Sequence, residues 1–143
     1  MKNQTPTRLT DSGTKLSLQH VVSNLVNSFL PEAKRNHTEL VNEVRQEIAL
    51  GAKDGRIMEV ISELLETVIA NSNHGEIHIT AERFSDTILL QIQERNNNNG
   101  YALAYRVESI ERIAQSTGGH ITINGPQKRV ATISYSFPDQ LRA

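Results

Sequence analysis

The chain has 143 residues, no cysteine, and a formal charge of −1 from 15 basic and 16 acidic side chains. Such a length buries one domain around a single core, and the even charge balance excludes a field that would draw nucleic acid or an anionic membrane strongly. Without cysteine there is no disulfide, thiolate metal site or cysteine nucleophile. No run approaches the roughly 18 apolar residues of a membrane span, and the N-terminus lacks the apolar segment of a secretion signal, so a cytoplasmic protein without membrane insertion is expected.

Residues 1–15 are polar and aperiodic, with Pro6 and Gly13, and read as a disordered arm or linker remnant. The folded domain is expected over 16–138, with 139–143 as a tail. Ser17 stands where an N-cap would, before a helix on which Leu18, Val21, Val22, Leu25, Val26 and Phe29 recur at helical spacing as far as Pro31, with a continuation to Arg35. Leu40, Val44 and Ile48 are irregularly spaced; a short edge strand is expected near 38–45. Asp54 is expected to cap a second helix whose Ile57, Val60, Ile61, Leu64, Leu65, Val68 and Ile69 make a broad apolar stripe. Its other face carries Glu59, Ser62, Glu63 and Glu66, the pattern of a solvated acidic face.

After Asn73-His74-Gly75 the period changes to two, with Ile77, Ile79 and Ala81 on one side and His78, Thr80 and Glu82 on the other. The alternation returns at Ile88, Leu90 and Ile92, and the intervening "RFSD" marks an antiparallel hairpin. Asn96 to Gly100 breaks the pattern. A third helix over about 102–116 shows Val107, Ile110, Ile113 and Ala114 on one face and ends at Gly118-Gly119. Two more alternating strands, "HITIN" and "RVATISYSF", turn at Asn124-Gly125. The expected architecture is an α+β two-layer sandwich: an antiparallel-rich mixed sheet with about three helices on one face.

This order of elements, with "DGRIMEVISELLETVI", "HGEIHITAERFSDTILLQIQE" and "ESIERIAQSTGGHITINGP", resembles the catalytic ATP-binding domain of sensor histidine kinases, a member of the Bergerat-fold ATPases. The resemblance spans about residues 16–138. It implies that the second helix would carry an Asn box, Asn-x-x-x-Asn-Ala-x-Lys, whose second Asn helps hold magnesium. The matching positions read Glu63, Thr67, Val68 and Ala70. Glu63 matches relatives that use a general base there. Thr67 has a hydroxyl that can meet magnesium but is shorter than Asn, and Ala70 supplies no cation for phosphate. Where the family has an adenine-binding Asp and a Gly-rich turn, this chain has Glu94-Arg95-Asn96-Asn97; where it has a lid and a Gly-rich helix start, about ten residues remain, with Gly100 the surviving glycine.

Four nucleotide contacts altered together imply a domain that keeps the fold without the ligand. The expectation is a degenerate kinase-like module of bacterial signal transduction, without a cofactor and without ATP turnover, that docks a response regulator or a partner kinase. The alternative is a divergent histidine kinase or anti-sigma-type serine kinase that binds ATP and Mg, with Glu63 as base, Thr67 on the metal, and Glu94 and Gly100 at the nucleotide. An open cavity with Glu94 at its floor would favour the alternative; Arg95, Tyr101 or Tyr105 filling it would favour degeneracy. Of the histidines, His20 reads as a solvated helix-start residue, His37 and His120 as exposed junctions, and His74 and His78, on either side of a turn, do not form a zinc chelate.

Overall fold

In the computed structural model, residues 15–51, 55–97 and 100–139 are described. Asp54, and all of 1–15 except Lys15, fall outside them. The elements are β1 (Lys15–Ser17), α1 (Leu18–Arg35), β2 (Glu39–Asn42), β3 (Ala49–Gly51), α2 (Gly55–Ala70), β4 (Glu76–Phe84), β5 (Thr87–Arg95), α3 (Gly100–Gln115), β6 (His120–Asn124) and β7 (Val130–Pro138). Five strands form one mixed sheet in the order β2-β4-β5-β7-β6, so β5 is central. The pairs β4–β5, β5–β7 and β6–β7 are antiparallel, while β2 lies parallel to β4, with Leu40 opposite Ile77. This is the expected two-layer arrangement of three helices and a mixed sheet.

The layers meet through periodicity. On β4 and β5 the inward residues Ile77, Ile79, Ala81, Ile88, Leu90 and Ile92 are buried. They receive α2, on which Val60, Ile61, Leu64 and Ile69 are fully covered. The stripe is broad because α2 lies between α1 and α3, touching both. At the far end of the sheet Tyr135 and Phe137 pack 4.7 Å apart, and the Tyr135 hydroxyl lies 2.8 Å from that of Thr117, just past α3.

Two local expectations, the Ser17 cap and the start of the third helix, need correction. Ser17 occupies the N-cap position of α1 but makes no capping hydrogen bond with its side chain, because Ser17 is itself paired in β1, facing Ala49. That β1–β3 ribbon was hidden in the irregular spacing of Val44, Ile48 and Leu50, all of which are buried; three-residue strands are too short to show a period. His78 lies on the outer surface of the sheet, as its alternation implies, and is 8% exposed there, with Nδ1 and Nε2 each 3.0 Å from a carboxylate, of Glu43 and Glu76 respectively. The third helix begins at Gly100, two residues earlier than its apolar pattern suggests.

The two sides of α2 give a direct check on this packing. Leu64→Ala empties a fully buried position and is expected to cost about 2–5 kcal/mol in urea unfolding, whereas Glu63→Ala, on the exposed side, should stay within about 0.5 kcal/mol. Comparable losses from both would mean that the helix is rotated relative to this description.

Candidate functional site

The last inward-facing position of the central strand is occupied by a charged residue type. Glu94 follows Ile88, Leu90 and Ile92 on β5, and alternation carries its carboxyl into the protein, where it is 1% exposed. The Ser72 hydroxyl, just past the end of α2, donates to Glu94 Oε2 in a short hydrogen bond. The other oxygen, Oε1, is buried and has no hydrogen-bond partner. Burial pushes the Glu94 pKa above the ordinary glutamate value of 4.5, and the Ser72 bond offsets only part of that rise.

A chain of small polar groups backs this pair. The Thr38 hydroxyl lies 2.9 Å from that of Ser72 and donates to the Asn36 carbonyl at 3.2 Å; the Gly75 amide donates to it at 3.4 Å. Gly75 has to be glycine, since a Cβ there would lie 2.4 Å from both Glu94 Oε2 and Ser72 Oγ. Four segments meet at the carboxyl in this way: the exits of α1 and α2, the entry to β4 and the end of β5.

Beyond Glu94, four residues connect β5 to α3. The amides of Asn96 and Asn97 both donate to the Arg129 carbonyl, at 2.9 and 2.6 Å. The Asn97 side chain, 8% exposed, donates from Nδ2 to the carbonyls of Pro126 and Lys128 at 3.0 and 2.9 Å. The connection is thus a strap fastened to the β6–β7 turn. Gly100 continues it: a Cβ there would sit 1.4 Å from the Pro126 carbonyl oxygen, so the helix starts against that carbonyl. A cavity of about 200 Å³ remains, lined by Asn97, Gly100, Tyr101, Pro126, Gln127 and Lys128.

The sequence-expected site residues are therefore dispersed. Glu63 is on the exposed side of α2 with Glu59, Glu66 and Ala70, while Thr67 is buried on its core side. Glu94 meets Ser72 and not Thr67, and Gly100 meets Pro126. Arg95, Tyr101 and Tyr105 do not fill a cavity; the two tyrosines are 77% and 78% exposed. Ser72, Thr38 and Asn97 were not singled out from the sequence. Ser72 had one readable signal, a small hydroxyl residue directly after a helix stop, but Asn97 is indistinguishable from its neighbours in a run of four Asn.

The raised pKa of Glu94 has a sign that can be checked. The folded protein holds the proton more tightly than the unfolded chain, so this contribution to stability is fully present below about 4.5 and is lost as pH rises through the folded value. Urea unfolding of wild type and Glu94→Gln should show wild type losing ground to the variant as pH rises from 4.5 toward 8. A difference that stays constant with pH would mean that the carboxyl titrates like an exposed one.

No protein-family model matches the sequence, and no curated protein matches it. Solved structures do. The catalytic domain of histidine kinase ThkA, in a nucleotide-free form, aligns over 90% of this chain and 97% of its own, with TM-score 0.68 and 14% identity. The Acinetobacter baumannii histidine kinase AdeS aligns over 88% of this chain and 66% of its own, with TM-score 0.72 and 16% identity. ThkA in complex with response regulator TrrA aligns over 90% of this chain and 42% of its own, with TM-score 0.70 and 15% identity. With nine-tenths of its length superposed on these catalytic domains, the chain has the histidine-kinase-like ATPase fold.

Proposed function

We propose that this domain is a signal-transduction module of the kinase fold that has given up its nucleotide and acts by binding a protein, without ATP turnover. The observation that carries this reading is the strap. In the segment where the fold's resemblance calls for a Gly-rich phosphate loop and a lid, Asn97 is fastened to the β6–β7 turn, and Gly100 is pressed on the Pro126 carbonyl. The amides of Asn96 and Asn97, in the turn that the resemblance places beside adenine, are committed to the Arg129 carbonyl. The cavity beside the strap, about 200 Å³, is below the roughly 300–1,000 Å³ of small-molecule pockets. The exposed face of α2 supports the same reading, since Glu59, Glu63 and Glu66 would repel a triphosphate and Ala70 brings no cation.

The partner assigned to the module is a response regulator or a partner kinase, in line with the ThkA–TrrA complex formed by a protein of this fold. One observation favours a second reading, a divergent ATP- and magnesium-binding kinase: Glu94 stands where the resemblance puts adenine recognition, with Oε1 unpartnered.

Calorimetric titration with a non-hydrolysable ATP analogue and magnesium separates the two. The expected outcome is no saturable heat up to a few millimolar. A dissociation constant tighter than about 100 μM, worth about 5.5 kcal/mol, and abolished by Glu94→Ala, would overturn the degenerate reading and establish the second.

A further inference from the structure

Two histidines stand side by side where the chain turns out of α1 and out of α2. His37 and His74 are both exposed, and their rings lie parallel within 4°, with centroids 4.8 Å apart. Each occupies a left-handed backbone corner, with φ of 55° and 58° respectively. Histidine is among the few non-glycine residues enriched in such corners, and here the two corners bring their imidazoles together on the surface.

The corners are also fixed relative to each other. The His74 amide donates to the Asn36 carbonyl at 2.9 Å, and the His74 carbonyl accepts from Asn96 Nδ2 at 2.8 Å. Asn36 in turn donates from Nδ2 to the Ile69 carbonyl at 2.8 Å, and the His37 amide donates to Lys34. Two imidazoles on a backbone held this way lose little freedom when a common ligand joins them.

We infer that His37 and His74 form a binding site for a divalent transition-metal ion of the imidazole-preferring kind, Zn²⁺, Ni²⁺ or Cu²⁺. Chelation requires the rings to leave the parallel stack, so that one nitrogen of each meets a shared ion at about 2.0–2.1 Å. The described residues hold no group of three histidines and carboxylates around a common point, so water completes the coordination and the ion exchanges. The site clips the exit of α1 to the exit of α2. Directly beneath it, Thr38 and Gly75 support the Ser72–Glu94 pair.

Titration of tag-free protein with NiCl₂, and separately ZnCl₂, tests this. The expected result is one ion per chain in the micromolar range and a raised melting temperature on loading. His37→Asn and His74→Asn keep a residue suited to the left-handed corner, so both should fold normally in chelator, while each weakens binding by about tenfold or more. His20→Asn, on an exposed face of α1, should bind as wild type does. Absence of saturable binding below a millimolar, binding that survives both corner variants, or loss in only one of them would each overturn the shared site.

Discussion

A carboxyl group enclosed at the end of a central strand has to be satisfied from very few directions, and the arrangement around Glu94 follows from that constraint. Its hydrogen-bond partner among the described residues is Ser72, which can reach it because α2 stops at Ala70 and the chain turns down toward the sheet. Ser72 is held by Thr38, which lies at the entry to β2, so the parallel edge strand is stitched to the same point. Gly75 is reduced to backbone because the Glu94–Ser72 pair occupies the space its side chain would need. A buried polar pair of this kind is costly to leave half-made. It therefore fixes where α1 ends, where α2 ends and in which register β4 begins.

A similar logic governs the opposite end of the connection. Four asparagines would be expected to wander in solvent, yet Asn97 is taken inside because its amide can serve two carbonyls of the β6–β7 turn at once. Asn96 works on the other side: Nδ2 donates to His74 while Oδ1 accepts from Arg129. Adjacent residues thus tie the strap to the α2 exit and to the far hairpin. Once these bonds are made, the amides of Asn96 and Asn97 are not free to meet a ligand.

Most of the fold was legible because its elements are long and strongly periodic. The stripe of α2 and the alternation of β4, β5 and β7 each repeat several times, so one ambiguous residue does not change the reading. The β1–β3 ribbon escaped because three residues cannot establish a period, and its existence depends on a pairing across thirty residues of chain. Of the candidate site, Glu94 was reached through the resemblance, as the position of the family's adenine-binding Asp. Its partners were not, since Ser72 and Thr38 come from separate segments and hydroxyls carry no sequence pattern. The His37–His74 stack was illegible for a different reason: a left-handed corner with a non-glycine residue leaves no mark on composition.

Three of the positions that the resemblance assigns to nucleotide contact make structural contacts in this chain. Thr67 packs on the core side of α2, Glu94 bonds Ser72, and Gly100 accommodates the Pro126 carbonyl. The core formed by α2 and the sheet is mainly apolar, and the Glu94–Ser72 pair closes one end of it. Substitutions at these three positions would disturb those contacts. Asn at position 67 would put an unpaired amide into an apolar environment, Asp at position 94 would be too short to keep the present Ser72 bond in place, and any lengthened loop before Gly100 would have to displace the Asn97 clamp. Substitution toward the family's residues at positions 67 and 94 is therefore a change in packing, whereas surface positions change at little cost.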